Sequence, residues 1–205
     1  MKVITIIAQK GGATKTTLAI HLAVESIIGG LATMIIDLDP QASATKWKDL
    51  REAEEPLVIS AQASRLEHNL QTAREAGADL VIIDNAPHSD NSALQACKQA
   101  DMIIIPTKIG ILDLQTVPDS LNIAKLAGAK KTVVVMSAIP HKGNVINEAR
   151  AILEGLNVEV CPHSITQRVI YSHALSSGLV AREAEPKGKA SAEIAQLYEW
   201  IINRV

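Results

Sequence analysis

Phenylalanine is absent from this chain, and tryptophan and tyrosine supply only two residues each. A core without large rings has to be built from Ile, Val, Leu and Ala, which suits strands buried between helices. Single-stranded nucleic acid, held by bases stacked on aromatic rings, is a poor match for such a surface. Cysteine is scarce as well. Cys97 and Cys161 lie far apart with no C-x-x-C, and read as two buried thiols rather than as metal or cluster ligands. Charge of neither sign dominates: the net value of −2 removes any global basic signature for nucleic acid, so such a role has to rest on local patches. No membrane span is visible, and the opening Met1–Ala8 is too short for a signal peptide, so a cytoplasmic protein is expected.

What is present is a rhythm. Short runs rich in Ile and Val recur with helical patterns between them, the order of a parallel α/β sheet. Strands are expected at Lys2–Ala8, Ala32–Ile36, Leu57–Ser60, Asp79–Ile83, Met102–Ile105, Thr132–Met136 and Glu159–Cys161. Several are apolar at nearly every position, as when both faces are covered. Helices are expected at Thr16–Ile28, ended by Gly29-Gly30, and at Arg65–Ala76 and Ala190–Asn203. With 205 residues, 47% of them hydrophobic, and no linker or repeat, the chain reads as one domain spanning 1–205.

Between the first strand and the first helix stands Lys10-Gly11-Gly12-Ala13-Thr14-Lys15-Thr16-Thr17. Backbone N–H groups in such a turn form an anion nest, and the helix behind it begins with its positive dipole end at the same spot. Lys15 is expected to reach the terminal phosphates of a nucleotide, and the Thr16 hydroxyl to join a Mg²⁺ shell. The ordinary spacing G-x-x-x-x-G-K-[ST] is not met, because Gln9 and Thr14 occupy its glycine positions. The deviant form K-G-G-x-x-K-[ST] is met, with a second lysine, Lys10, at its start. Right-handed crossovers put this loop at the carboxyl edge of the sheet, where Asp37–Pro40 and Asp84–Pro87 are also expected to gather.

That loop resembles the ParA/MinD family of P-loop ATPases. Asp37-Leu38-Asp39-Pro40-Gln41-Ala42-Ser43 is similar to the family's switch I, and Leu80–Asp84 with Ala86-Pro87 to its Walker B strand and switch II. Ile165–Arg168, with Ala174, Gly178, Lys187 and Glu193, resembles the small ParA proteins of plasmid partition systems. The resemblance covers nearly the whole chain and implies an α/β single-domain P-loop NTPase, with a mostly parallel twisted sheet carrying helices on both faces. It implies ATP and Mg²⁺ as cofactors, ATP hydrolysis, and an ATP-dependent sandwich homodimer in which Lys10 reaches the partner's nucleotide. Phosphate contacts then fall to Gly11, Gly12, Ala13, Thr14, Lys15, Thr16 and Thr17. Asp39 takes the place of the carboxylate that orients the attacking water, Asp37 faces the Mg²⁺ waters, and Asp84 meets the ion through a water. A turn aspartate capping the following helix would also account for Asp37 or Asp39 singly. Adenine contacts are implied near Pro106, Thr107, Met136 and Ser137.

The same resemblance implies non-specific DNA binding through basic residues of the last third, here Arg168, Arg182, Lys187 and Lys189, with nucleoid association in the ATP state. These four are interleaved with Glu183, Glu185 and Glu193, which also fits an ordinary solvated surface. A ParB-like or other cargo adaptor is the implied partner, and a plasmid or chromosomal segment the implied cargo. Two rivals share the loop: a MinD-like membrane-associated ATPase and a dethiobiotin-synthetase-like ligase. The apolar stripe Ile194, Leu197, Tyr198, Ile201 and Ile202 has only Arg204 as a base after Lys189, so packing on the core is expected and a membrane is not. Thr14 departs from the family, where glycine usually precedes the loop lysine. At positive φ a threonine costs on the order of 1–2 kcal/mol, so low basal turnover is expected, with Thr14→Gly raising ATP affinity or hydrolysis.

Overall fold

The computed structural model describes all of residues 1–205. The strands are β1 (Lys2–Ile6), β2 (Thr33–Asp37), β3 (Leu57–Ser60), β4 (Leu80–Asp84), β5 (Met102–Thr107), β6 (Thr132–Ile139), β7 (Glu159–Val160) and β8 (Ile165–Thr166). All pair in parallel in the order β3-β2-β4-β1-β5-β6-β7, with β8 joining β6 beyond a shift in register. Helices α1 (Lys15–Ile28), α2 (Ser43–Leu50), α3 (Leu66–Glu75), α4 (Asp90–Gln99), α5 (Ile111–Leu114), α6 (Val117–Leu126) and α7 (Val145–Glu154) lie between them, and α8 (Val169–Leu175), α9 (Ala181–Ala184) and α10 (Lys189–Ile202) follow β8. A 3₁₀ turn, Ala63–Arg65, leads into α3.

Each strand sends alternate side chains to two cores. Ile4, Ile6, Ile35, Ile82, Ile104 and Val135 face α1, α2 and α10. Val3, Ile36, Val81, Ile83, Ile105 and Val134 face α3, α4, α6 and α7. Trp47 and Tyr171 are the only aromatic residues among the buried members of the two layers, which are otherwise mostly Ile, Val, Leu and Ala, so the fold dispenses with phenylalanine. Cys97 and Cys161 are buried free thiols, one in each core, as expected.

The expected strands are all present, with ends moved by up to three residues, most at β6, which runs on to Ile139. Strand β8 was not foreseen. Two residues of ladder leave no periodicity to read, and its pairing depends on a break in β6 at Ala138, where φ is 51°. On α10, Ile194, Leu197 and Ile201 are buried against the core, so the stripe is a packing face. No helix is long and apolar enough to cross a membrane.

Candidate nucleotide site

Register brings the carboxyl ends of the central strands into one row. Ile6, the last residue of β1, lies opposite Asp84 of β4, and Asp84 lies opposite Asp37 of β2. The loop 7–14 rises from the middle of this row, flanked by the two aspartates on one side and by β5 and β6 on the other. The strand order reverses here, where α/β sheets open a crevice for ligands.

Gly12 and Thr14 both take left-handed backbone angles, with φ of 71° and 67°. They turn the chain so that α1 starts with the N–H groups of Lys15, Thr16 and Thr17 free of helical partners; Leu18 is the first to bond back, 2.9 Å to the Thr14 carbonyl. Three donors and a dipole end thus share one concavity, an arrangement suited to phosphate. The Lys15 amine is buried and lies 3.4 Å from the Ala8 carbonyl, folded over the loop. Burial holds its pKa below the usual lysine value, opposed by the charges of Asp84 and Asp39.

Threonine in a left-handed turn is strained, and its hydroxyl offsets part of the strain. Thr14 Oγ1 lies 2.6 Å from the Ala13 carbonyl and 2.6 Å from Ser137 Oγ on β6. One hydroxyl hydrogen serves one acceptor, so Thr14 donates to Ala13 and Ser137 donates to Thr14. Ala42, His88 and Ala138 share the left-handed conformation, so four of the five non-glycine residues with positive φ stand at this edge. Strain concentrated at one edge marks a functional surface rather than a folding accident.

Asp84 is fully buried, and neither of its carboxylate oxygens has a hydrogen-bond partner in good geometry. Burial pushes its pKa up to about 7, while the nearby Thr16 hydroxyl lowers it and Asp37 raises it further. An orphaned carboxylate beside a hydroxyl and a phosphate nest suits a hard cation such as Mg²⁺, which takes oxygen ligands. Thr16 and Asp84 would hold the ion.

Asp37 does other work. Its Oδ2 accepts from Ala44 N at 3.0 Å and Thr45 N at 3.1 Å, and its Oδ1 accepts from Asp39 N at 3.1 Å. These bonds tie Asp37 to the start of α2, the capping role that its turn position also allowed. Asp39 stays half-exposed, and its Oδ1 accepts from Gln41 N at 2.9 Å. It lines a cleft of about 790 Å³ between Leu38–Gln41, Ser60–Ala63 and Ala86–Ser92, so both switch segments face the same space.

The expected adenine-contact residues stand toward the carboxyl ends of β5 and β6. Met136 is enclosed in the α3/α4/α6/α7 core, Pro106 and Thr107 are buried in β5, and Ser137 braces the loop through Thr14. With these side chains enclosed, a base at this end of the sheet would meet mainly their backbone. The basic residues divide. Arg168 Nη2 lies 2.6 Å from Glu193 Oε1, and Arg182 stands 3.9 Å from Glu25, so both face the protein's own carboxylates. Lys187 and Lys189 are exposed and form no ion pair.

Two groups escaped the sequence reading. Asp113 of α5 pairs with Lys10 at 3.0 Å. Lys108, directly after β5, places its amine 3.9 Å from where a Cβ on Gly12 would sit. A lysine following a strand at the carboxyl edge was the available signal for Lys108. Nothing in the sequence paired Asp113 with Lys10.

The model of the CobQ/CobB/MinD/ParA nucleotide-binding domain matches residues 4–205. The chain belongs to this family. Among curated relatives, the maintenance of carboxysome distribution protein A of Gloeobacter kilaueensis is 29% identical over 94% of this chain and 93% of its own. A ParA protein of Rhizobium radiobacter is 27% identical over 87% and 84%. Among solved structures, MinD of Aquifex aeolicus in complex with MinC superposes with a TM-score of 0.81 at 15% identity, covering 100% of this chain and 97% of that one. An ATP complex of a McdA variant from Cyanothece superposes at 0.79 and 18%, with 100% and 97% covered. These structures share the fold, and family members are ATPases. The family domain is a nucleotide-binding one, the Cyanothece McdA variant is bound to ATP and MinD of Pyrococcus horikoshii to Mg-ADP, and positioning or partitioning is the work of the related proteins.

Proposed function

We propose that this protein is an ATP-dependent positioning ATPase that forms a sandwich dimer, binds DNA without sequence preference, and releases it on hydrolysis. The observation that carries the reading is the buried, unpartnered Asp84 beside Thr16 and the left-handed loop, with a second lysine at the loop's entrance. Lys15 and the first-turn N–H groups hold the phosphates, and bound Mg²⁺ would neutralise charge on the β- and γ-phosphates. Asp39 orients the attacking water. Lys10 leaves Asp113 and reaches the second protomer's nucleotide, a role that a monomeric site does not require. Exposed Lys187 and Lys189 contact DNA phosphates, so binding weakens steeply with salt. A basal rate kept low by Thr14 leaves control to an adaptor carried by the cargo, a plasmid or chromosomal segment or another body, in the cytoplasm.

Lys15→Ala should abolish binding of a fluorescent ATP analogue. Lys10→Ala should keep binding yet show no ATP-dependent dimer by light scattering. Lys187→Ala with Lys189→Ala should lose salt-sensitive binding of random duplex DNA. A Lys10→Ala protein that dimerises like the parent would overturn the sandwich reading.

A further inference from the structure

We infer that the segment Gly178–Glu183, gripped at once by α1 and α2, relays the state of the nucleotide site to the lysine-bearing turn at Lys187–Lys189. The part of the inference that ends at those lysines rests on the DNA reading above; the relay itself does not.

The chain of contacts begins at Asp37, which caps α2. Helix α2 is only eight residues long, and its far end is riveted to the segment by three different devices. Trp47, 3% exposed, donates through Nε1 to the Leu179 carbonyl at 3.2 Å. Arg51, whose side chain is 5% exposed, donates from Nη1 to the Gly178 carbonyl at 3.0 Å and to Glu183 Oε2 at 2.8 Å, and from Nη2 to Glu183 Oε1 at 2.6 Å. Gly178, at φ +70°, lets the two backbones touch: a Cβ there would stand 2.4 Å from the Leu50 carbonyl oxygen. A forked guanidinium on a carboxylate fixes both distance and angle, which a single hydrogen bond does not.

Helix α1, which opens at the phosphate loop, holds the same segment from the other side. His21 is fully buried; its Nδ1 meets the Thr17 carbonyl at 2.8 Å, and its Nε2 accepts from Ala181 N at 3.1 Å. These two bonds require the neutral imidazole with its hydrogen on Nδ1. The segment in turn grips α10: Ser191 Oγ lies 2.9 Å from the Ala181 carbonyl and 2.6 Å from that of Glu185. Lys187 and Lys189 sit between those anchors.

A ligand at the loop that moves α2 relative to α1 therefore has to move or strain one short segment. By reciprocity, a polyanion that fixes the lysine-bearing turn biases Asp39 through α2. Arg51 and Glu183 touch neither nucleotide nor DNA in this scheme; they are positioning residues.

Hydrogen exchange of the full chain, with and without Mg²⁺ and a slowly hydrolysed ATP analogue, tests the relay. In the parent, the analogue should slow exchange across 178–190 by a factor of about five or more, together with the phosphate loop. In Arg51→Gln and Gly178→Ala, two lesions of unlike chemistry, loop protection and analogue affinity should persist while protection of 178–190 is lost. Glu183→Gln, which keeps the shape of the carboxylate, reads the same link should either variant fail to fold. Exchange at 178–190 that ignores the nucleotide in the parent, or slows equally in the variants, would overturn the inference. Should the parent show the relay but Lys187→Ala with Lys189→Ala leave DNA binding intact, the relay stands and the assignment of these lysines to DNA fails.

Discussion

Replacing Thr14 by glycine and by alanine separates two forces that the threonine combines. A β-carbon at φ 67° costs on the order of 1–2 kcal/mol, because it crowds the backbone carbonyl. Against that, the part-buried bond between Thr14 and Ser137 contributes about 1 kcal/mol. Glycine removes the strain and the bond together and adds about 0.5–1 kcal/mol of unfolded-chain freedom, so its net effect on stability should fall within about 1 kcal/mol of zero. Alanine keeps the strained Cβ and loses the bond, so it should destabilise by about 1 kcal/mol or somewhat more. A domain of this size shifts by roughly 2–4 °C per kcal/mol, which puts Thr14→Ala about 2–4 °C below the parent and Thr14→Gly close to it. Urea unfolding of the three proteins under identical conditions measures the differences directly. Thr14→Ala exceeding Thr14→Gly in stability would refute the strain argument, since a turn indifferent to the sign of φ behaves that way. Ser137→Ala should lose the bond alone and track Thr14→Ala.

Asp84 should make the protein's stability fall as pH rises. Its folded pKa of about 7 lies above the ordinary 3.8, so protonation stabilises the fold fully below about 4 and the benefit fades up to about 7. Without Mg²⁺, Asp84→Asn should therefore exceed the parent in melting temperature at pH 8 and lose Mg²⁺-dependent ATP binding; equal melting temperatures would show that the carboxylate is not charged in a buried state. Asp113→Asn should free Lys10 from a partly exposed pair worth about 0.5–1 kcal/mol, strengthening ATP-dependent dimerisation up to about fivefold in analytical ultracentrifugation. Asp39→Ala should slow hydrolysis by about a hundredfold or more while leaving ATP-analogue affinity unchanged, and turnover at the parent rate would move the role elsewhere.

The strands and the loop were legible because their signals are local. Val3–Ala8, Leu80–Asp84 and Met102–Ile105 announce buried strands by continuous apolarity, and Lys10–Thr17 is contiguous. Roles set by distant partners were not. Whether Arg168 faces DNA or Glu193 depends on α10 folding back beside β8, and Arg51 meets Glu183 across 132 positions. Asp37 shows the same limit at short range: its residue type fits a metal shell and a helix cap equally, and its bonds to Ala44 N and Thr45 N become visible only in the fold. Met136 belongs to a strand that was correctly expected, but the face on which its side chain lies, in the core, was not legible in the sequence.

The sheet has short margins: β3 contributes four residues and β7 only two. A neighbouring chain finds few free backbone groups there to extend the ladder, so growth by strand addition is suppressed. Copies of this protein that meet must do so through side chains, including Ile111 and Leu112 next to the Lys10–Asp113 pair, which remain 62% and 67% exposed. Contacts of that kind come apart when a charge or a phosphate changes, whereas a shared ladder of backbone bonds does not. The nucleotide-driven dimer proposed above would be better served by blunt edges than by open ones.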